Sequence, residues 1–318
     1  MSLGRSAAVS HTGRKRRHNE DAYVVDPPLF AIADGMGGAR AGEVASGLAA
    51  AAVKADDGNG DGGAEGRVVA LIQEANRRIY ERSREDAEVS GMGTTMTVAL
   101  VDGMRVTFGH VGDSRAYALR DGRLEQLTED HSLVAELVRG GKLSPEEAEH
   151  HPRRSVITRA LGTDPDVDVD TFVVDARDGD IFLLCSDGLT DMVSDETIAK
   201  VLSATPDLQP AAEELVRLAN KAGGEDNITV VAFAFTAGDE PEERTVEQTR
   251  PLPALDNGAG PAAEPAPYDT AVIPAERVEE LAAATKPRSK RKGRSAWPLL
   301  LLLLAIAVAA VLLWLVAR

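Results

Sequence analysis

Cysteine is almost absent from this 318-residue chain: Cys185 stands alone. One thiol excludes an intramolecular disulfide framework and any multi-cysteine zinc or iron–sulfur site. Positive charge is also short, with 35 Lys and Arg against 51 Asp and Glu and a formal net charge of −16. Nucleic-acid binding needs a basic footprint that displaces counterions, so nucleic acid is not an expected partner. No apolar run follows Met1, and a secretory signal is therefore not expected. No fixed-period repeat and no Gly-x-x-x-x-Gly-Lys-Ser/Thr loop occur, which excludes solenoids and P-loop NTPases. The six histidines show no paired ligand spacing on a helix, unlike the histidine-rich sets of zinc hydrolases.

What is present divides into segments. Ala296 to Ala317 is a run of 22 uncharged residues. About 20 helical residues at ~1.5 Å each cross a ~30 Å hydrocarbon core, and no polar stripe marks this run as a buried soluble helix. Pro298 falls in the first turn, where a missing N–H costs nothing. Trp297 and Trp314, the only tryptophans, fall where opposite membrane interfaces would lie. Six cations between Lys286 and Arg294 precede the run, and only Arg318 follows it. The positive-inside rule then predicts a single-pass membrane protein with everything upstream cytoplasmic and the basic cluster on anionic lipid. Residues 238–285 are rich in Pro, Ala and acids and read as a flexible linker, with a short helix expected at Ala275–Ala284. The linker carries −8 and the flanks of the span +7, which leaves −15 on residues 1–237.

Residues 1–237 read as one domain. Leu29–Ala33, Thr95–Val101, Val106–Val111, Ala116–Leu119, Phe172–Val174, Ile181–Cys185 and Ile228–Phe235 have strand composition. Asp102-Gly103 and Asp121-Gly122 predict hairpin turns, hence largely antiparallel sheets. Ala41–Lys54, Arg67–Asp86, Ser132–Gly140 and Ala211–Ala222 have helical periodicity and should cover those sheets from outside.

Apolar strands repeatedly run into carboxylates: Asp34 after Phe30–Ala33, Asp187 after Ile181–Ser186, Asp113 after Gly109–Gly112, and Asp226 just before Ile228. A single Asp-Gly is ordinarily a turn or a cap. Several carboxylates converging at strand ends cannot all stay ionised without a cation, and oxygen donors without a Cys or His set point to Mg²⁺ or Mn²⁺. Gly35 lets a carbonyl approach such an ion. Arg16, in a compact polar block with Gly13, Asn19, Glu20 and Asp21, offers a planar fork matched to phosphate oxygens.

The ordered set is Gly13-x-x-Arg16-x-x-Asn19-Glu20-Asp21, Ala33-Asp34-Gly35-Met36-Gly37-Gly38, Gly91-Met92-Gly93-Thr94-Thr95 and Gly109-His110-Val111-Gly112-Asp113-Ser114-Arg115. It continues with Leu127-Thr128-x-Asp130-His131-Ser132, Thr158-Arg159-Ala160-Leu161-Gly162, Ser186-Asp187-Gly188-Leu189 and Asp226-Asn227-Ile228-Thr229. Over residues 6–236 this resembles the bacterial PP2C-type (PPM) metal-dependent protein serine/threonine phosphatases. The resemblance implies an α+β fold, an α-β-β-α sandwich of two antiparallel sheets flanked by helices, here followed by the transmembrane helix. It implies that Asp34 bridges two Mn²⁺ or Mg²⁺ ions, that Asp187 and Asp226 complete the first site, and that the Gly35 carbonyl binds the second. Asp113, with Asp187 and Asp191, would hold a third ion. Glu20 and Asp21 would support the second directly or through water. Arg16 would bind the substrate phosphate, and Ser132 to about Arg154 corresponds to the family's flap.

The chemistry so implied is hydrolysis of phosphoserine and phosphothreonine on cytoplasmic proteins by a metal-bridging hydroxide, with no phosphoenzyme. A Ser/Thr kinase and its targets are the implied partners. Many eukaryotic members carry His as the general acid where this chain has Met36, so the acid is unassigned. A cysteine phosphatase would need Arg six residues after Cys185, and Asp191 stands there. The remaining alternative is a non-catalytic, membrane-tethered phosphoprotein-binding module, which should lack metal carboxylates.

Overall fold

The computed structural model describes residues 2–37, 41–58, 62–236 and 271–272. The chain divides into two units, Met1–Val278 and Glu279–Arg318, and the described residues all lie in the first. Along the chain run β1 (Ser2–His11), β2 (Asp21–Asp26), β3 (Leu29–Met36), α1 (Ala41–Lys54), α2 (Gly63–Glu85), β4 (Gly93–Thr94), β5 (Met96–Asp102) and β6 (Arg105–Val111). There follow β7 (Arg115–Arg120), β8 (Arg123–Gln126), α3 (Leu133–Arg139), α4 (Pro145–Glu149), β9 (Val156–Ile157), β10 (Asp170–Asp175) and β11 (Ile181–Cys185). The remainder is α5 (Asp187–Thr190), α6 (Asp195–Ala204), α7 (Leu208–Ala222), β12 (Ile228–Thr236) and β13 (Ala271–Val272).

Two antiparallel sheets, ordered β1-β12-β11-β7-β8 and β10-β6-β5-β3-β2, make the body of the fold. Both expected hairpins close where the turn dipeptides put them. Asp121 and Gly122 join β7 to β8 with φ of 51° and 77°, the paired positive values that match the strands' twist. β13 adds a short parallel pairing to β9, Ala271 against Val156 and Val272 against Ile157.

Three apolar layers explain the sandwich. Between the sheets lie Phe30, Phe108, Phe182, Phe233 and Phe235, with Phe172 against them. All six phenylalanines of the chain are thus in this layer. Phe30 stacks on Phe233 at 4.2 Å and Phe182 on Phe233 at 5.3 Å. The outer layers use smaller side chains. The alanines of α1 and the Val68, Leu71, Ile72, Ala75 and Ile79 stripe of α2 cover the sheet that contains β3. Ile198 and Leu202 of α6 and the Leu208–Ala219 face of α7 cover the other. The expected α-β-β-α order of layers is the observed one.

Sequence expectation and structure differ at particular places. α2 begins at Gly63, four residues before Arg67, and α7 begins three residues before Ala211, behind Asp207, whose carboxylate accepts from the Gln209 N–H. The Ser132–Arg154 segment holds α3, capped by Ser132, and α4, opened by a Ser144/Glu147 capping box with Pro145 at the first turn. The linker helix at 275–284, the basic cluster and the apolar run 296–317 lie outside the described residues. Within the described residues no helix is long and apolar enough to cross a membrane.

Candidate active site

Carboxylates from both sheets arrive at one end of the sandwich. Asp21 opens β2 and is the direct cross-strand neighbour of Asp34 on β3. Asp187 starts α5 two residues after β11, Asp226 stands two residues before β12, and Asp113 follows β6 by two residues. Burial raises the Asp34 carboxyl well above the usual range, and Asp21, Asp187, Asp226 and Asp113 raise it further by their charge. Asp187 is raised likewise, by burial and then by Asp226, Asp113, Asp191 and Asp21. Asp21 is pushed up to about 6, chiefly by burial, and Asp113 to about 7, by burial with Asp130 and Asp191 beside it. The predicted aspartates therefore lie together, with Asp34 and Asp187 feeling the charge of most of the others.

The backbone holds them there by close approach. A Cβ on Gly35 would lie 2.1 Å from the Gly42 carbonyl oxygen and 2.6 Å from that of Glu20, so only glycine lets β3 pass α1 at this point. The Gly35 N–H donates to the Glu20 carbonyl at 3.1 Å, and the Glu20 carboxyl carbon lies against Gly42. Glu20 is thus placed beside Gly35. The Asp34 N–H donates to Thr95 Oγ1 at 3.0 Å, while Thr94 Oγ1 donates to the Asp34 carbonyl at 2.8 Å. Asp191 lies 3.7 Å from Arg154 at the rim.

Arg16 is where the structure adds to the sequence. Its Nη2 donates to Asp226 Oδ2 at 2.7 Å, so the group expected on phosphate is seated on an expected metal ligand. With several carboxylates close by, a guanidinium is drawn to the nearest half-exposed one. Asp21 Oδ2 accepts from Ser186 Oγ at 2.9 Å and from Thr229 Oγ1 at 2.5 Å. Its Oδ1 is buried without a partner, and so is Asp187 Oδ1. A buried polar atom left unpaired costs about 1–3 kcal/mol, and these two lone-pair donors sit within a set of like charges. Among the described residues no three Asp, Glu, His or Cys side chains stand close enough to form a ready cation cage. Arg16, Ser186 and Thr229 take up some of the nest's oxygens. In donor chemistry the set fits a hard divalent ion: oxygen ligands, unpaired carboxylate atoms and protons retained to unusually high pH.

Residues 10–229 match the profile of the family described as Protein phosphatase 2C. The chain belongs to that family. It is 46% identical over 228 residues to "Serine/threonine protein phosphatase PstP" of Mycobacterium tuberculosis, an alignment covering 71% of this chain and 44% of PstP. The chain thus spans less than half the length of that relative. It is 43% identical over 235 residues to "Serine/threonine phosphatase stp" of Listeria monocytogenes, covering 69% of this chain and 91% of stp. Among solved structures, that of M. tuberculosis PstP/Ppp superposes with a TM-score of 0.71 at 44% identity, covering 74% of this chain and all of that one. A PstP catalytic domain described as in complex with two manganese ions gives 0.68 at 42% identity.

Within this phosphatase 2C domain several motif residues for which the sequence suggested no role turn out to support the site. Asn227, 3% exposed, accepts the Glu20 N–H through Oδ1 at 2.7 Å and donates through Nδ2 to the Thr12 and His18 carbonyls, each at 2.9 Å. It ties the loop bearing Arg16 to the segment bearing Asp226. His131 accepts the Gly112 N–H at Nδ1 (3.0 Å) and meets Asp170 at Nε2 (3.1 Å), which braces the turn before Asp113. Arg115 forks onto Asp130 behind the same turn. Met36 is buried against Ile157 and Ala160, so residue 36 packs an apolar side chain with no proton to give. Cys185 is fully buried in β11 and its thiol is pushed up to about 12 by burial, as expected of a structural cysteine.

Proposed function

We propose that this chain is a divalent-metal-dependent phosphatase acting on phosphoserine and phosphothreonine of proteins. The observation that carries the reading is the buried aspartate nest with unpartnered oxygens on Asp21 and Asp187, built by the motifs of a family whose relatives are called serine/threonine phosphatases. Asp34, the Gly35 carbonyl, Asp187 and Asp226 would hold two Mn²⁺ or Mg²⁺ ions, with Glu20 and Asp21 supporting. Asp113, Asp187 and Asp191 would take a third. Such ions, when bound, lower the pKa of water toward neutrality and neutralise phosphoryl oxygens.

The chain's own residues do the rest. Arg16, oriented through Asp226, would share its fork with the phosphoryl group and stabilise charge on the equatorial oxygens. Asn227 fixes that arginine's loop relative to Asp226, which sets the phosphate's position. Direct hydrolysis requires no protein nucleophile, and Cys185, buried away in its strand, would supply none. The proton for the leaving alkoxide would not come from residue 36.

We also propose that the domain works on the cytoplasmic side of a membrane, tethered through residues 238–295 to a helix at 296–317. The support is the unbroken apolar run with its basic flank. Its substrates would be phosphoproteins there, a Ser/Thr kinase among them. The test is hydrolysis of p-nitrophenyl phosphate and a phosphothreonine peptide by the detergent-solubilised chain with Mn²⁺. Turnover should vanish with EDTA and fall at least a hundredfold in Asp187→Ala. Wild-type turnover no greater than that variant's would leave the binding-module reading in its place.

A further inference from the structure

The loop joining β1 to β2 carries four successive cations, Arg14-Lys15-Arg16-Arg17, in a domain whose net charge is −15. Arg16 turns in to Asp226, whereas Arg14, Lys15 and Arg17 are exposed. The loop is fastened tightly to the site. The Arg14 and Lys15 N–H groups both donate to the Gly224 carbonyl, at 2.7 and 3.1 Å. Asn227 holds the carbonyls on either side, those of Thr12 and His18. Gly13 takes a φ of 79°, and a Cβ there would lie 2.1 Å from the Asp226 carbonyl oxygen. The three exposed cations therefore ride on backbone that is bonded to the Gly224–Asn227 segment, one and two residues from the arginine of the nest.

Nearby acids are already engaged. Asp226 holds Arg16, and Arg154 lies 3.7 Å from both Glu225 and Asp191. Lys15 and Arg17 make no ion pair among the described residues, and Arg14 reaches only the Asn220 carbonyl, at 3.5 Å. Positive charge held out at the mouth of a site, within an otherwise acidic domain, concentrates anionic chain segments there and disfavours basic ones.

Resting on the phosphatase reading, we propose that Arg14, Lys15 and Arg17 form an electropositive rim that selects phosphoprotein substrates with Asp or Glu within a few residues of the phosphorylated Ser or Thr. Three exposed ion pairs of ordinary strength multiply to about a tenfold preference. The rim touches the flanking peptide and not the reacting phosphoryl group, so its effect belongs in KM.

The experiment compares two phosphothreonine peptides of equal length, one with three flanking Glu and one with Gln in their place, alongside p-nitrophenyl phosphate. The full chain in detergent with Mn²⁺ is set against the triple variant Arg14→Gln, Lys15→Gln, Arg17→Gln. Wild type should favour the acidic peptide about tenfold in kcat/KM, and raising salt from 50 to 500 mM should erode most of that preference. The variant should lose the preference through KM and keep its turnover of the Gln peptide and of p-nitrophenyl phosphate within twofold. Equal use of both peptides by wild type overturns the rim and leaves the phosphatase reading intact. So does a variant that slows all three substrates alike. Absence of Mn²⁺-dependent turnover by wild type on every substrate removes the phosphatase reading and the rim with it.

Discussion

Asp113 lets the charge stored in the nest be measured without any catalysis. Asp113 as a residue is 8% exposed, and its carboxyl is pushed from an ordinary 3.8 up to about 7, mostly by burial. A folded-state pKa above the unfolded one means the folded chain keeps a proton that the unfolded chain has released. Ionisation therefore costs nothing below pH ~4, an increasing amount between about 4 and 7, and the full amount above 7. At about 1.4 kcal/mol per pKa unit, roughly three units correspond to up to ~4 kcal/mol in the absence of metal. Asp113→Asn preserves shape and removes the ionisation. In EDTA the variant should exceed wild type by only about 1 kcal/mol near pH 4.5 and by about 2–4 kcal/mol at pH 8, the latter several degrees in Tm for a domain of this size. Added Mn²⁺ at pH 8 should reverse the order, since wild type alone offers that carboxylate to an ion. Urea titrations followed by far-UV circular dichroism suit the purpose, because both tryptophans, at 297 and 314, lie outside the domain. An equal difference at pH 4.5 and 8, or a variant no more stable than wild type at pH 8 in EDTA, would refute the account of a strained, cation-seeking nest.

Asn227→Ala removes three hydrogen bonds that tie Thr12, His18 and Glu20 to the Asp226 segment. It should cost about 2–4 kcal/mol in urea titration and lower kcat/KM on p-nitrophenyl phosphate at least tenfold as Arg16 loses its register. Cys185 should resist Ellman's reagent in the native protein at pH 8 and react fully in urea, since burial alone shields it and pushes its thiol up to about 12.

Strands covered on both faces were the legible ones. β11 and β12 lie between the phenylalanine layer and the α6–α7 layer, so nearly every position is apolar, Thr229 and Thr236 of β12 excepted, and each reads as a continuous run. The strands that composition did not disclose are edges. β1 and β2 flank their sheets with mixed polar and apolar, partly exposed sequences, and β8, exposed along most of its length, was signalled only by the turn before it. α6 buries only Ile198 and Leu202, too short a stripe to register as periodicity. The aspartates of the site could be found because each ends or precedes an apolar strand. Their hydrogen-bond partners could not be assigned: Arg16 meets Asp226 across 210 residues, and Ser186 and Thr229 reach Asp21 across 165 and 208. Such pairings depend on how the sheets close, which no local pattern encodes.

The ladder between β1 and β12, from Ser2 opposite Thr236 to His11 opposite Ile228, joins the first and last strands of the domain. The nest draws on both ends of the chain in the same way, with Asp21 and Asp34 from one and Asp187 and Asp226 from the other. Contacts of such long sequence separation form late and slowly. During synthesis, a ribosome that has not yet released Thr236 carries a chain with one sheet lacking its second strand and the aspartate set lacking its last member. Hydrolytic competence would therefore arrive in a single late event, when β12 slides between β1 and β11, and no shorter nascent chain would have it.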